Sequence, residues 1–587
     1  MKRFVADFET ATWYSDKSYV WAWALCEITD GFPVEAGNTI EGFFERIKKE
    51  DNPVIFFHNL KFDGEFLMYY MMNDLKLEWR NSKEKEDNTF STLISDMGQF
   101  YQIVWYIKTG KRDKKVTFQD SLKIINQTVE SMPKTFGIEE NKLEIDYKYP
   151  REKGHILTEE EIAYIKNDVV IPAKALKYLF DMGLTQMTAG GNALSYYKKM
   201  LGANKFKNLF PVLPYEIDQD LRPAYRGGFT YCNPKYKGKT TGKGVVLDVN
   251  SLYPSCMRYE LLPFGEGLFF TGKYEEDKFY PLYIQRLLCT FKVKKDHIPM
   301  IQIKKSRFVE NEYLTDSGEE PVAITLTSID LKLFFDQYDV NVIKWESGWK
   351  FRGAKGLFDS YIDKWVALKN ECTINGNKGM RAICKIMLNS LYGKYATSKK
   401  MQEKIPYLEN GIVKYKLSEE IEKDGVYLPM ACFITALARD KTVRTSQAIM
   451  TYSLEKYGKD LYCYSDTDSV HTNLTVDELK EFCEIDDVEL GKWKVEEVFR
   501  RAKFIRQKTY LEDIFNEKTG KYEIKITCAG MPQRCYNQVT WDNFKEGMKV
   551  DGKLTFHHVV GGVNLVDTDF TIKSDKKLIS AIKKFNL

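Results

Sequence analysis

The stretch Gly244-Val245-Val246-Leu247-Asp248-Val249-Asn250-Ser251-Leu252-Tyr253-Pro254-Ser255 decides how this 587-residue sequence is interpreted. Its apolar run, residues 245–247, predicts a buried strand, so the carboxylate of Asp248 emerges where that strand ends. Pro254 fits the first turn of a helix that follows the strand. The sequence therefore predicts one carboxylate at a strand-to-helix junction, with a chance turn as the alternative.

A second carboxylate pair lies much further along the chain, in Tyr464-Ser465-Asp466-Thr467-Asp468-Ser469. Apolar residues stand on both sides of this short polar centre. That arrangement is typical of a hairpin, and it would present both aspartates at the tip.

The segment 381–393 has the periodicity of a helix. Polar residues recur at i, i+4, i+8 and i+11, and they are Arg381, Lys385, Asn389 and Tyr392. Apolar residues occupy much of the remaining surface, namely Ile383, Ile386, Met387 and Leu391. Composition alone favours a helix whose cationic stripe simply faces solvent.

The N-terminal run Phe4-Val5-Ala6-Asp7-Phe8-Glu9 predicts a strand. Because side chains alternate along a strand, Asp7 and Glu9 would project side by side from one face. Without a cation the two carboxylates would repel each other, and each would favour protonation of the other. A solvated strand edge is the ordinary interpretation of such a pair in isolation.

Two further acids lie in the same region of the chain. Asp63 follows the apolar run 54–57, which would place it at the end of a buried strand. Thr158 and Glu161 form the pattern of a capping box at the start of a helix. On that helix Tyr164 and Asp168 share a face, and Pro172 should bend the helix beyond them. The alternative is that this Tyr/Asp pair is exposed on the protein surface and has no specific role.

Taken together, D-x-E at 7–9, N-x-x-F-D at 59–63 and Y-x-x-x-D at 164–168 resemble the exonuclease motifs of DEDD nucleases attached to B-family DNA polymerases. The resemblance implies that two divalent cations are held by Asp7, Glu9, Asp63 and Asp168. Two adjacent cations activate a water and stabilise the leaving 3′-oxygen. It also implies that Tyr164 orients that water and that Lys142 supports the scissile phosphate. Residues implied to hold a single-stranded 3′ end are Asn59, Phe62, Ser121 and Leu122.

The strings around Asp248, Lys385 and Asp468 resemble polymerase motifs A, B and C of family B. The resemblance implies that Asp248, Asp468 and the backbone carbonyl of Val249 hold two Mg²⁺ (or Mn²⁺) ions, with Asp466 as a nearby supporter. One ion would activate the primer 3′-hydroxyl and the other would bind the triphosphate. Tyr253 would exclude a ribose 2′-hydroxyl. The remaining residues implied to bind the nucleotide are Lys369, Arg381, Lys385, Asn389 and Tyr392.

Further strings resemble the protein-primed members of family B, especially the small type of Bacillus phages. Lys508-Thr509-Tyr510 matches the K-x-Y motif that steadies the primer, and Tyr225 with Gly228 belongs to a Y-x-G-G linker. Segments 298–314 and 361–365 resemble subfamily strings. The chain departs from the pattern between Lys369 and Arg381, where it carries extra residues at the tip of the fingers.

The resemblance implies an α/β multidomain protein, with an N-terminal ribonuclease-H-like DEDD exonuclease domain and a right-hand polymerase of palm, fingers and thumb. Two insertions are expected in the palm; the first would help to dock a priming protein, and the second would support processivity and strand displacement. The expected division is exonuclease 1–186, palm 187–260 and 427–530, first insertion 261–357, fingers 358–399, second insertion 400–426 and thumb 531–587.

Bulk properties permit this interpretation without requiring it. The chain is 43% hydrophobic and 29% charged with a net charge of +4, which is typical of a soluble globular protein. Its eleven cysteines include no C-x-x-C pair, which argues against a disulfide framework or zinc site. No run is typical of a transmembrane helix, and acids at positions 7 and 9 argue against a signal peptide. We expect a monomer in the cytoplasm of an infected bacterium, away from membranes.

Two alternatives stay open at this stage. One is a B-family polymerase that extends ordinary nucleic-acid primers, which a covalent dNMP adduct on a partner protein would exclude. The other is a catalytically weak DNA-binding replication factor, which primer extension with Mg²⁺ would exclude. The expected ligands in the main interpretation are primer-template DNA, dNTPs, a single-stranded DNA 3′ end and a terminal priming protein.

Overall fold

A computed structural model of the chain describes residues 2–11, 13–83, 86–109, 112–147, 149–302, 313–516 and 519–573. Two predicted segments lie partly outside the described residues. They are the subfamily string at 298–314, of which residues 303–312 are not described, and the thumb, of which residues 574–587 are not described.

The N-terminal region is built on a twisted, mixed sheet of eight strands in the order β3-β2-β1-β4-β8-β7-β6-β5. The strands are β1 (Arg3–Thr10), β2 (Val20–Glu27), β3 (Val34–Gly37), β4 (Val54–Phe57), β5 (Glu78–Trp79), β6 (Thr89–Ile94), β7 (Phe100–Thr109) and β8 (Arg112–Asp120). β1 lies between β2 and β4. The interpretation of Asp7 and Glu9 as a solvated strand edge is therefore wrong.

Helices cover both faces of this sheet; they are α1 (Ile40–Ile47), α2 (Leu60–Asn73), α3 (Met132–Phe136) and α4 (Glu159–Asp181). The predicted capping box of Thr158 and Glu161 is confirmed at the start of α4, and the helix continues through Pro172. One prediction is corrected: Asp63 lies in the first turn of α2 and not at the end of a strand. β4 ends at residue 57, and the chain turns through Asn59, at φ +79°, before the helix begins.

The next segment runs through three short helices into the strand predicted from the opening motif. Its elements are α5 (Ala189–Leu201), α6 (Ala203–Leu209), α7 (Tyr215–Leu221), β9 (Thr230–Cys232), β10 (Thr240–Thr241), β11 (Gly244–Val249) and α8 (Leu252–Tyr259). The predicted strand and the predicted position of Pro254 in the first turn of a helix are both confirmed.

A separate four-stranded antiparallel sheet follows, in the order β12-β15-β13-β14. Its elements are β12 (Leu262–Thr271), β13 (Leu282–Val293), β14 (Val322–Thr327), α9 (Ser328–Gln337) and β15 (Tyr338–Ala354). This sheet coincides with the segment predicted as the first insertion.

The segment predicted as the fingers contains an antiparallel pair of helices, α10 (Asp359–Ile374) and α11 (Lys378–Tyr395). The turn between them contains Gly376, whose φ of +68° suits a residue without a side chain. The extra residues noted between Lys369 and Arg381 therefore form the tip of this helical hairpin.

Residues 400–422 form two small antiparallel ladders, β16 (Lys400–Met401) with β19 (Ile421–Glu422), and β17 (Lys404–Glu409) with β18 (Ile412–Leu417). The sequence of residues 400–428 predicts an exposed hairpin insertion, and this prediction is wrong in part. Val413 is 1% exposed and packs in the apolar core of the N-terminal region, with Tyr415 against the same core.

The last region begins with α12 (Leu428–Tyr457) and continues as β20 (Tyr462–Asp466), β21 (Ser469–Thr472), α13 (Val476–Leu479), β22 (Trp493–Arg506), β23 (Thr509–Asn516), β24 (Lys521–Cys528), β25 (Lys549–Val559) and β26 (Gly562–Thr571). The strands up to β24 join β9–β11 in one antiparallel sheet ordered β24-β23-β22-β11-β21-β20-β9, with β10 beside β22. β11 thus lies between β21 and β22, although both are far from it in sequence.

The β25–β26 hairpin reaches back to the N-terminal region. Ser18 N donates a hydrogen bond to Val560 O at 2.9 Å. His558 Nε2 lies 3.3 Å from the buried carboxylate of Glu65 on α2. Since β18 also packs beside β25, the hairpin of residues 404–417, the C-terminal hairpin and the N-terminal region contact one another.

The eleven cysteines all lie among the described residues, where they are buried and form no disulfide. Within that part of the chain, no helix combines the length and the apolar character needed to cross a membrane.

Arg439 of α12 joins three parts of the chain through one buried guanidinium. It pairs with Asp330 of α9 at 2.6 Å, and both side chains are at most 3% exposed. Its Nη1 donates to the carbonyls of Arg226 and Gly227 at 2.6 and 2.8 Å. The linker of residues 225–228 is therefore held between α12 and the sheet of residues 262–354.

We expect Arg439→Met to destabilise the protein by about 3–5 kcal/mol, because it leaves the carboxylate of Asp330 buried without its cationic partner. The measurement is the midpoint of thermal unfolding by circular dichroism. Combining Arg439→Met with Asp330→Leu should recover part of the loss, since the uncompensated carboxylate is then removed. A double variant as unstable as the single one would contradict this explanation.

Candidate active sites

The first cluster of acids lies where β1, α2 and α4 meet. Ligand atoms of Asp7, Glu9 and Asp168 lie within 4.8 Å of one another. Asp63 adjoins them from α2 and is 3% exposed, and its charge contributes to the raised pKa of Glu9. The structure therefore brings together the four acids that the sequence analysis grouped.

Burial makes these acids reluctant to ionise in the absence of a cation. Burial, followed by the charge of Asp168, raises the pKa of Asp7 to about 8. Burial and the charge of Asp7 raise the pKa of Glu9 and that of Asp63 well above their usual range. Buried carboxylate oxygens of Asp63 and Asp168 have no hydrogen-bond partner. Unsatisfied buried oxygens in a group of four carboxylates suit hard divalent cations.

A lysine and two tyrosines complete this cluster. Lys142 Nζ donates to Asp168 Oδ2 at 3.0 Å. Tyr164 is only 2% exposed, so the alternative of an exposed surface residue is excluded. Its hydroxyl forms a hydrogen bond with that of Tyr147. Tyr147 lies five residues after Lys142 in the sequence, and no role was predicted for it. Burial, followed by the charge of Glu9, raises the pKa of Tyr164 and keeps its hydroxyl protonated.

The residues predicted to hold a single-stranded end lie at the start of α2 and after β8. Asn59 N donates to Asp120 Oδ1 at 3.0 Å, and the half-buried ring of Phe62 lies 5.9 Å from that of Phe556 on β25. Leu122 is half-buried beside them. Ser121 is fully buried and its hydroxyl lies 3.0 Å from His58 Nδ1, so it orients that ring instead of lining a surface.

The second cluster lies on the sheet that contains β11. Asp248 is the cross-strand partner of Ser469, and Val249 N donates to Asp468 O at 2.8 Å. The predicted hairpin is confirmed as β20 and β21, with Thr467 at its tip at φ +62°. Asp248 and Asp468, distant in sequence, are therefore neighbours at one edge of the turn.

The electrostatics of this second cluster resemble those of the first. Burial, followed by the charge of Asp468, raises the pKa of Asp248 to about 7. Burial also raises the pKa of Asp468. Two carboxylates that are costly to ionise side by side fit a shared divalent cation. The third predicted ligand, the Val249 carbonyl, belongs to the residue that follows Asp248 on the same strand.

Asp466 faces a different set of partners. Lys508 Nζ lies 2.6 Å from Asp466 Oδ1, and the hydroxyl of Thr230 donates to the same oxygen at 3.2 Å. Lys508 has φ +53°, and its backbone N–H donates to the hydroxyl of Tyr464 at 2.7 Å. Tyr510 is 9% exposed and packs with Tyr464, their ring centroids 5.0 Å apart.

The linker of residues 225–228 approaches the same turn. A side chain at Gly228 would begin 2.6 Å from Thr467 Cγ2, so only glycine allows this approach. Tyr225 is half-buried, and burial, followed by the neighbouring phenol of Tyr392, raises its pKa.

The polar stripe of α11 faces the second cluster. The rings of Tyr253 and Tyr392 stack with their centroids 3.9 Å apart. Partial desolvation, followed by the charge of Arg381, lowers the pKa of Lys385 and that of Lys369. Arg381 Nε donates to Thr373 Oγ1 at 3.0 Å, and Asn389 is exposed on the same helix. These cations lie opposite the acids, which is the arrangement that binds a metal-bound polyphosphate.

Lys494, on β22, was missed in the sequence analysis. Its Nζ lies 3.8 Å from Asp248 Oδ1. No local motif indicates this residue, because only the pairing of β22 with β11 brings it beside Asp248.

Comparisons with known proteins match this chain to DNA polymerases over nearly its whole length. The family model of DNA polymerase type B, organellar and viral, matches residues 44–484. The DNA polymerase of Bacillus phage B103 is 42% identical over 590 residues, which cover 97% of this chain and 100% of that protein. The structure of phi29 DNA polymerase with primer-template DNA superposes with a TM-score of 0.90 at 40% identity, covering 97% of this chain and 100% of that one. The ternary complex of phi29 DNA polymerase with primer-template DNA and incoming nucleotides has the same coverage and a TM-score of 0.89.

We expect Mg²⁺ to raise the thermal midpoint more at about pH 8.5 than at about pH 6. The pKa values of about 8 for Asp7 and about 7 for Asp248 lie above the usual value. Without cations, the folded state therefore loses stability as the pH rises from about 4 through about 8, and bound cations offset that loss. At the lower pH a cation must first displace protons. Scanning fluorimetry with EDTA or Mg²⁺ at both values measures the effect. A Mg²⁺-induced shift that does not change with pH would contradict it.

Proposed function

The chain belongs to the type B DNA polymerases of organelles and viruses, and from this premise we propose that it replicates a linear phage-type genome by protein-primed initiation, with proofreading. It is a DNA-directed DNA polymerase of mixed α/β fold, in which an exonuclease domain precedes the palm, fingers and thumb of a right-hand polymerase. The meeting of Asp248 with Asp468, opposite the cations of α11, is the observation that carries the proposal.

We assign the exonuclease domain to residues 1–186 and the palm to 187–260 and 427–530. The fingers are 358–399, the thumb 531–587, and the two insertions 261–357 and 400–426. The sheet pairing of β11 with β21 and β22 supports a palm built from two separate segments.

In nucleotidyl transfer, Asp248, Asp468 and the Val249 carbonyl would hold two Mg²⁺ (or Mn²⁺) ions, which activate the primer 3′-hydroxyl and neutralise the triphosphate. Lys385, Arg381 and Lys369 bind phosphate oxygens, while Asn389 and Tyr392 flank the nascent base pair. Tyr253, stacked on Tyr392, closes the space that a 2′-hydroxyl would need. Lys508, oriented by Asp466, and Tyr510 steady the primer end, and Tyr225 and Gly228 guide the template.

In proofreading, Asp7, Glu9, Asp63 and Asp168 would hold two divalent cations that activate water and stabilise the leaving 3′-oxygen. Tyr164 keeps its proton and donates it in a hydrogen bond to the attacking water. Lys142, held by Asp168, balances the scissile phosphate. Asn59, Phe62 and Leu122 contact the single-stranded 3′ end. Ser121 positions the segment that carries Asn59 through its hydrogen bond to His58.

The partners follow from the same assignment. Phi29 DNA polymerase, which this chain resembles, has been solved with primer-template DNA and incoming nucleotides. We propose the same ligands here, together with a single-stranded 3′ end at the exonuclease site and a terminal protein docked on the first insertion. The enzyme acts as a monomer in the cytoplasm of the phage-infected bacterium, and its second insertion supports strand displacement by closing against the exonuclease domain and thumb.

Separate substitutions should remove the two activities independently. We expect Asp468→Ala to reduce primer extension by at least about 100-fold, because charge stabilisation worth several kcal/mol is lost, and to spare degradation of single-stranded DNA. Asp7→Ala with Glu9→Ala should have the converse effect. Both activities are measured on labelled oligonucleotides in Mg²⁺. Loss of both activities in either variant would argue against two sites.

Replacing Tyr253 with valine should increase ribonucleotide incorporation, because the smaller side chain leaves room for the 2′-hydroxyl. The measurement is the ratio of kcat/KM for dNTP and rNTP in single-nucleotide extension. Tyr259→Ala provides the control, since Tyr259 lies exposed at the far end of the same helix. Unchanged sugar selectivity in Tyr253→Val would refute the role.

Protein priming predicts a covalent product. With the protein isolated from the ends of the phage genome and a labelled dNTP, the enzyme should form a dNMP adduct on a serine, threonine or tyrosine, detected after denaturing electrophoresis. The Asp468→Ala variant should form none. An enzyme that extends oligonucleotide primers but never labels the terminal protein would favour the alternative of ordinary nucleic-acid primers.

A further inference from the structure

Lys494 stands directly across the palm sheet from Asp248. The two residues are partners in the antiparallel register between β11 and β22, so their side chains project from the same face of the sheet. The distance of 3.8 Å between Lys494 Nζ and Asp248 Oδ1 is too long for a hydrogen bond. The amine therefore balances the charge of the carboxylate without being fixed to it.

The same amine lies within electrostatic reach of the fingers. Its charge contributes to the lowered pKa of Lys385 on α11 and of Lys369 on α10, after burial and the charge of Arg381. Lys494 thus lies within reach both of the acid of motif A and of the cations proposed to bind the triphosphate. A polyphosphate bound by these two groups would therefore lie near the Lys494 amine.

The side chain is free enough to change partners. About a third of it is exposed, at 34%, whereas that of Asp248 is 21% exposed. A lysine amine on a flexible four-carbon stem can turn to a new acceptor without movement of the backbone. After burial and the charge of another aspartate, the charge of Glu496 on the same strand raises the pKa of Asp248 and that of Asp468, so a further negative charge lies near both acids.

We propose that Lys494 is an exchangeable cation of the polymerase site, which neutralises Asp248 in the free enzyme and binds phosphate oxygens of the incoming triphosphate, or of pyrophosphate, when a divalent cation occupies Asp248. The proposal rests on the polymerase function proposed above. It makes Lys494 a competitor of the cation in the empty site and a ligand of the polyphosphate in the loaded site.

Lys494→Met tests the exchange, because methionine keeps an extended stem and removes the charge. In a background of Asp7→Ala and Glu9→Ala, Mn²⁺ binding by the nucleotide-free enzyme, followed by electron paramagnetic resonance, should tighten about threefold as the competing charge is lost. Inhibition by pyrophosphate and binding of dNTP to the enzyme with primer-template should weaken about tenfold, as expected for one lost charge-assisted contact. Lys494→Arg should restore most of the pyrophosphate affinity.

Lys492→Met is the matched control. It removes the same charge two residues away, where the amine pairs with Glu484 and Glu489 and not with an active-site acid. We expect neither affinity to change in this variant.

Opposite shifts in cation and pyrophosphate affinity are the result that a merely structural role would not produce. The proposal is overturned if an active Lys494→Met enzyme binds pyrophosphate as tightly as its parent, or if cation and pyrophosphate binding weaken together. Failure of the underlying polymerase function would appear separately, as absent primer extension by the unmodified enzyme.

Discussion

Repulsion between carboxylates buried side by side is the constraint on which both proposed sites depend. Each cluster holds acids whose pKa values are raised by burial and by one another, to about 8 at Asp7 and about 7 at Asp248. Such groups are unfavourable as neighbouring anions and become favourable when a divalent cation balances them. Without a cation these acids relieve their repulsion by taking up protons, and a divalent cation is the alternative that suits the arrangement.

The scaffold meets this constraint by placing the acids on well-packed elements. Asp7 and Glu9 stand on β1 within an eight-stranded sheet, and Asp248 stands on β11 between two antiparallel neighbours. The turn that carries Asp468 is held from several sides: Phe229 O accepts from Thr467 N, and Thr442 on α12 donates to Thr467 O, both at 2.7 Å. Through Arg439, the same region is joined to Asp330 of the first insertion. The segment that contains α9 thus helps to support the region that carries Asp468.

The two sites differ in the cations that surround them. Among the described residues, Lys142 is bonded to one acid of the exonuclease cluster, which suits a scissile phosphate. In the polymerase cluster Lys494 lies beside Asp248, and its charge reaches Lys385 on α11 and Lys369 on α10. Several basic groups near one pair of acids suit the larger charge of a triphosphate.

By itself, the sequence determined the local elements and the types of chemistry. Strand alternation at 4–9, the capping box at Thr158 and the hairpin pattern around Asp466 and Asp468 depend on neighbouring residues, so they could be predicted without the fold. The tertiary structure decided what pairs across the chain. Asp63 on a helix, Val413 in the core of another region and Lys494 beside Asp248 follow from packing and strand register between distant segments, which no local pattern encodes. Local propensity acts over a few residues, whereas these contacts form only when the whole sheet is assembled.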